Sequence, residues 1–315
     1  MEFGNNPLAE SAPTRRVRVA HTDDISHQRR IPRNFVAMFV VVLSGIYALS
    51  SADPIATHDI GPELNGDPTQ IPEDPIFQRT RSVTQTIVIS KPGIYDYDNV
   101  LHVWEGSGSC NQTENQPHIL RIAASNVTVR NFAYKNAPDG VHIATCSKGQ
   151  GNDCTGSISN ILLENVTGWA CEDALTTGIG TSNITLNRCY FIGNPNKKHR
   201  DKLLQINFGN NLRIYNTIFK NSTRPVRFKS GSAITLAYNR FYGFHHAIRG
   251  DTYEDIIGIV PNRPAVVNTM GNHFQDGTAA FSMMGEITVT SIGDAFLNVR
   301  SRKNVKDGAK VTIKK

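Results

Sequence analysis

The sequence predicts an all-β fold, a single chain wound into a parallel β-helix, on three observations. From Thr86 onward, short stretches alternate apolar and polar residues: "TIVIS" first, then "NVTVRNF" from Asn126, "NILLENV" from Asn160, "NITLNRC" from Asn183, "NLRIYNT" from Asn211 and "AITLAYN" from Ala233. That alternation is the period of a strand with one buried face. The starts from Asn126 onward are 34, 23, 28 and 22 residues apart, with later copies around Val266 and Ile287. A unit of ~22 residues with inserted loops is the mark of stacked coils. Finally, Asn recurs beside the strands, which fits side-chain ladders at the turns.

Along the chain, residues 1–34 read as a basic, disordered leader. Phe35 to Leu49 is a fifteen-residue apolar run behind Arg29, Arg30 and Arg33 and ahead of Ser50, Ser51 and Ala52. It reads as the core of a secretory signal over 35–52. A retained anchor is the alternative, but the run falls short of the ~20 residues that span a bilayer. Either way the remainder is exported, with no stable membrane contact once the signal is cleaved. The pairs Arg15-Arg16 and Arg29-Arg30 also match the twin arginines of an export signal for folded proteins. Residues 53–82 carry five prolines and no apolar period, and so read as a linker or cap; residues 83–315 form the β-helix domain.

The whole chain has 33 basic and 27 acidic residues; without the six basic and four acidic residues of 1–52 it keeps 27 and 23. A modest positive field favours a polyanionic partner. Nucleic acid is not expected, because no Arg/Lys stripe is interleaved with aromatics. Cysteines at 110, 146, 154, 171 and 189 suit an oxidising compartment and leave one over. Cys146 with Cys154 would close one loop; the other pairing stays open. The sequons at Asn111, Asn126, Asn165, Asn183 and Asn221 are glycan acceptors in a eukaryotic secretory route. Equally, three of them fall inside the Asn repeat.

The repeat also gathers charge. Thirteen residues from the strand starts at Asn126, Asn160, Asn211 and Ala233 stand Asp139, Asp173, Arg224 and His246. In the coil between, removing about six inserted residues brings Lys202 to the same place. Periodicity therefore stacks acid, acid, base, base and His in one column. Strict alternation would send one of Glu172 and Asp173 into the core, where an unpaired carboxylate costs several kcal/mol. Either the chain bends at Cys171-Glu172-Asp173 or the pair holds a cation, and Ca²⁺ suits an all-oxygen set with Asp139 as a third ligand. Lys202 shares strand parity with Leu204 and Ile206, so it too needs a bend to face outward. His245 and His246 read as structural.

Five motifs in order, "TENQP" (Thr113 to Pro117), "PDGVH" (Pro138 to His142), "CEDA" (Cys171 to Ala174), "DKLLQINFG" (Asp201 to Gly209) and "RPVR" (Arg224 to Arg227), carry a family likeness. The chain resembles family 3 of the polysaccharide lyases, pectate lyases built on a right-handed parallel β-helix. The resemblance runs from about Thr86 to Asp251. It implies a secreted, monomeric enzyme that cleaves α-1,4-polygalacturonate by Ca²⁺-dependent β-elimination. Matched position by position, Asp139, Glu172 and Asp173 would bind Ca²⁺, Lys202 would be the base, Arg227 would bind and stabilise, and Arg224 and Glu114 would line the substrate groove. The chain departs from the family in the run before "CEDA", in Phe228 after Arg227, and in two enlarged loops.

The chemistry has its own logic. Elimination removes the proton α to a carboxylate, which requires the developing enolate charge to be neutralised; a bound cation and an adjacent Arg both do so. The base must be uncharged, and a neighbouring guanidinium favours an uncharged Lys202 and an alkaline optimum. Arg227 is the alternative base. Two rival readings remain: a β-helix pectin hydrolase, which needs paired carboxylates around a water, and a non-catalytic β-helix that binds acidic glycan.

Overall fold

The computed structural model describes residues 67–108, 117–145, 156–193, 202–207, 211–229, 231–251 and 264–315. Two compact units divide the chain, Met1–Ile55 and Ala56–Lys315. The first, with the leader and the signal at 35–52, lies outside the described residues, as do Glu114 and the Cys146–Cys154 pairing.

Among the described residues there are strands and no helix, and every paired strand is parallel. The chain winds through three faces, right-handed as parallel crossovers are. The first face stacks β1 (Thr80–Val83), the later half of β3 (Gly93–Trp104) and of β5 (Val127–Ala137), β8 (Thr167–Ala170), β11 (Tyr190–Gly193) and β14 (Ile218–Ser222). The opening halves of β17 (Arg240–Asp251), β19 (His273–Met284) and β21 (Ala295–Lys306) complete it. The second face stacks β2 (Ile87–Ile89), β4 (His118–Ile122), β6 (Asp139–Ile143), β9 (Leu175–Thr177), β12 (Lys202–Ile206) and β15 (Arg224–Lys229), then the closing halves of β17, β19 and β21. The third takes the opening halves of β3 and β5, then β7 (Ser159–Glu164), β10 (Ser182–Asn187), β13 (Asn211–Tyr215), β16 (Ala233–Ala237), β18 (Ala265–Met270), β20 (Ile287–Ile292) and β22 (Lys310–Lys314).

The strand series read from the sequence is this third face, with one exception. "TIVIS" belongs to the second face, where Ile87–Ile89 pairs with β4. Alternation reports that a strand has one buried side; it does not say on which of three faces the strand lies.

Inward residues stack coil on coil. Leu120, Val141, Leu175, Leu204, Val226, Ile248 and Phe281 form one such buried column by register. Phe191, Phe219, Phe241, Phe274 and Phe296 form another, with ring centroids 4.8 to 6.0 Å apart. The expected Asn ladders stand at the corners. Asn160 donates to Asn126 at 3.0 Å and Asn211 donates to Asn183 at 3.2 Å. Asn126, Asn160, Asn183 and Asn165 all hold positive φ, between 53° and 59°, a conformation that Asn tolerates better than most residues.

Part of the proline-rich stretch before β1 is laid along the first face. The Tyr242 hydroxyl donates to the Pro68 carbonyl at 3.0 Å, Lys220 pairs with Asp74 at 2.8 Å, and Phe77 meets Trp169 edge-on. The strands begin at Thr80 rather than at residue 83.

Candidate functional site

Two columns of side chains run across the second face. The first holds the residues that the thirteen-residue count picked out. His118 is the register partner of Asp139, and Lys202 of Arg224. Val141 pairs with Leu175 and Leu175 with Leu204, so Asp139, Asp173 and Lys202, each two residues earlier, follow one another on adjacent coils. Val226 pairs with Ile248, which sets His246 after Arg224. The second column, three residues further along each strand, runs Arg121, His142, Thr176, Gln205, Arg227, Arg249, Ser282 and Asn304.

Three residues is an odd step, so a straight strand would put the two columns on opposite sides. The contacts place them together. Thr176 Oγ1 donates to Asp173 Oδ2 at 3.1 Å, the rings of His118 and His142 stack at 4.8 Å, and His246 and Arg249 line one cleft. The cause is a corner: the chain turns from the first face into the second here, with bends at Cys171, Glu172 and Ala174. Alternation fails at that corner, and Asp173 leaves the core side without needing a cation to excuse it.

Gly140 shows how tight the corner is. A Cβ there would collide with the Tyr134 hydroxyl and the Ala174 carbonyl oxygen. That hydroxyl donates to Ala174 O at 2.8 Å, and burial first, with Asp139 next, holds its pKa well above the usual tyrosine range.

Within the first column, the Asp173 N–H donates to Asp139 Oδ1 at 3.3 Å, and Lys202 Nζ lies 3.6 Å from Asp173 Oδ1. Asp139, Asp173 and Lys202 are each less than one-tenth exposed, while Glu172, Arg224, Arg227 and Arg249 are half-buried. The charged strip is thus closed over its acidic coils and opens from Arg224 onward. Lys202 is not stacked on Arg227, whose register partner is Gln205; its ion pair is with Asp173.

The donor set of Asp139, Asp173 and Glu172 is all carboxylate oxygen, the chemistry a hard cation takes. Among the described residues, however, no three His, Cys, Asp or Glu side chains are gathered closely enough to hold a metal ion as they stand. The Asp139 carboxylate meets the Asp173 backbone N–H on the next coil, and a carboxylate oxygen of the neighbouring Glu172 is buried.

His142, Thr176, Gln205 and Arg249 went unread in the sequence. The signal was there: counting sixteen rather than thirteen residues from the strand starts gives His142, Thr176, Arg227 and Arg249. His246 is held neutral, its pKa pushed down to about 4 by burial first and then by His245, Arg249 and Arg224. Cys189 is a free, buried thiol whose pKa burial raises to about 12, so it is inert at neutral pH.

No family model matches the chain, and no curated protein matches it. Among solved structures it is similar to the Azotobacter vinelandii mannuronan C-5 epimerase AlgE6 A-module, at 11% identity over 74% of this chain and 88% of that one, with a TM-score of 0.21. It is also similar to the Streptococcus pneumoniae surface protein and adhesin PfbA, at 10% identity over 74% and 89%, with a TM-score of 0.25. Scores this low carry no argument about activity. The molecule is defined by its own strand pairing and site: an all-β parallel helix with an acid-to-base column on one face.

Proposed function

We propose that the protein is a secreted pectate lyase that cleaves α-1,4-polygalacturonate by Ca²⁺-dependent β-elimination, releasing unsaturated oligogalacturonides. The observation that carries this reading is the column itself: Asp139, Asp173, Lys202 and Arg224 on four successive coils, with Arg227 beside them in the second column. A structural ladder repeats one residue type; this column changes from acid to base as a polyanion site requires.

Asp139 and Asp173, joined by Glu172, would hold the Ca²⁺. When bound, that ion supplies positive charge to the substrate carboxylate and to the enolate that develops beside it. Arg227, on the open part of the strip, pairs with a uronate carboxylate and stabilises the same charge. Arg224 and Glu114 line the groove. Lys202 takes the proton α to the carboxylate; the C–H electron pair forms the new double bond, and the glycosidic oxygen leaves with its bonding pair. For that, Lys202 must part from Asp173 and meet the sugar as a free amine. Cys171 is disulfide-bonded, which ties down the start of the corner. Export through the segment at 35–52 puts the enzyme where such polymers occur.

The test is ultraviolet absorbance of the protein mixed with polygalacturonate, first with Ca²⁺ and then with a chelator. Absorbance that grows only with Ca²⁺ reports the conjugated double bond of elimination. Shortened polymer without absorbance means hydrolysis, and binding with neither means a glycan-binding protein.

A further inference from the structure

From the coil after Arg227 onward the second face opens into a cleft of about 160 Å³, lined by His246, Arg249, Gly250, Ser282, Met283, Met284, Asn304 and Lys306. That is room for roughly five waters at ~30 Å³ each. Its residues come from three successive coils in strict register: Arg249, Ser282 and Asn304 continue the column that contains Arg227, and Lys306 is the partner of Met284.

The lining is of two kinds. Arg249 is half-buried and Lys306 exposed, and they bring two positive charges; Ser282, Asn304 and the neutral His246 bring hydrogen-bonding groups; Met284 brings an apolar side. Asp251, two residues past Arg249 on the same strand and the register partner of Met284, is buried and does not line the cleft. The buried Nδ1 of His246 has no hydrogen-bond partner among the described residues. A carboxylate-bearing sugar ring matches each feature, with its acid group for the two cations, its hydroxyls for the neutral donors and acceptors, and its C–H face for Met284.

We propose that this cleft is a binding subsite for an acidic sugar of the same polymer chain, seated away from the cleaved bond and selecting for a free rather than esterified carboxylate. The proposal rests on the polyuronate reading above. Coils are spaced ~4.8 Å apart, so the cleft begins ~5 Å from Arg227 at Arg249 and its far side, at Asn304, lies ~14 Å away; a polymer running along the coils reaches that far side with a different sugar from the one that meets Arg227. Short oligomers then fail to fill it and long ones succeed.

The experiment compares KM for tri- and hexagalacturonate in the parent, Arg249→Gln and Lys306→Gln, with calorimetric binding of both oligomers in chelator, where turnover is off. Loss of a charge-assisted contact is expected to raise the hexamer KM about tenfold more than the trimer KM in Arg249→Gln, and severalfold more in Lys306→Gln. Arg249→Lys should recover part of the loss, and fully methyl-esterified hexamer should bind the parent no better than the Gln variants. Equal effects on both lengths, or none on the hexamer, overturn the subsite while leaving the lyase standing. A parent that neither binds nor cleaves either oligomer overturns the lyase reading itself. Should Arg249→Gln fail to fold, Lys306→Gln, at an exposed position, still decides.

Discussion

Two columns of this molecule are generated by the same coil repeat and differ in what they repeat. At one corner of the third face Asn126, Asn160, Asn183 and Asn211 stand one above another, each amide engaging the next. At the entry to the second face strand register stacks His118, Asp139, Asp173, Lys202, Arg224 and His246, a different group at almost every coil. A ladder of one residue satisfies itself and needs nothing from outside. A column that changes sign along its length pairs unlike groups within itself, as Lys202 does with Asp173 at 3.6 Å, and shows half-buried charge from Arg224 onward.

That contrast can be broken by mutation. The largest effect is expected for Asp173→Ala, which removes a proposed Ca²⁺ ligand and the carboxylate 3.6 Å from the buried Lys202 Nζ. Activity should fall to background, and urea unfolding should show a stability loss of about 3 kcal/mol. An unaltered rate would sink the column as a site. Lys202→Ala comes next, with turnover lost while calorimetric binding of polygalacturonate persists; a rate equal to the parent's would move the base to Arg227.

On the ladder side, Asn183→Ala removes two inter-coil hydrogen bonds at a residue of positive φ. It should cost ~1–2 kcal/mol in unfolding and leave the rate within twofold. A large rate loss there would erase the distinction between the two columns.

The smallest effect is a pH slope. His246 has a pKa of about 4 in the folded protein against an ordinary value of 6.5. Between those values the unfolded chain binds more protons than the folded one, so stability rises with pH across that window and falls as the pH drops from about 6.5 to about 4. In His246→Asn the urea midpoint should lose this part of its slope.

Much of this was legible from residues alone, because a solenoid converts sequence distance into spatial stacking. The thirteen-residue count placed Asp173 and Lys202 on neighbouring coils before any contact was known, and the Asn ladders announced themselves by repetition. The neighbouring column is equally countable at sixteen, but Thr176 and Arg249 look like ordinary surface residues until the corner brings them beside Asp173 and His246. "TIVIS" reads as one of the third-face strands although it lies on the second, because alternation carries no label for its face.

What the sequence by itself determined is the coil: its period, its apolar stacks, and the order of charges up one face. Only the tertiary structure decided which way those charges point. Strand parity is a local rule, and the corner at Cys171–Ala174 suspends it, because the backbone there turns from one sheet to the next with Tyr134 packed against Gly140. That turn brings Asp173 to Thr176 and Lys202 to Asp173. It also divides the strip into closed acidic coils and an open basic end, since burial depends on what the neighbouring coils pack against each group rather than on the group's own place in the repeat.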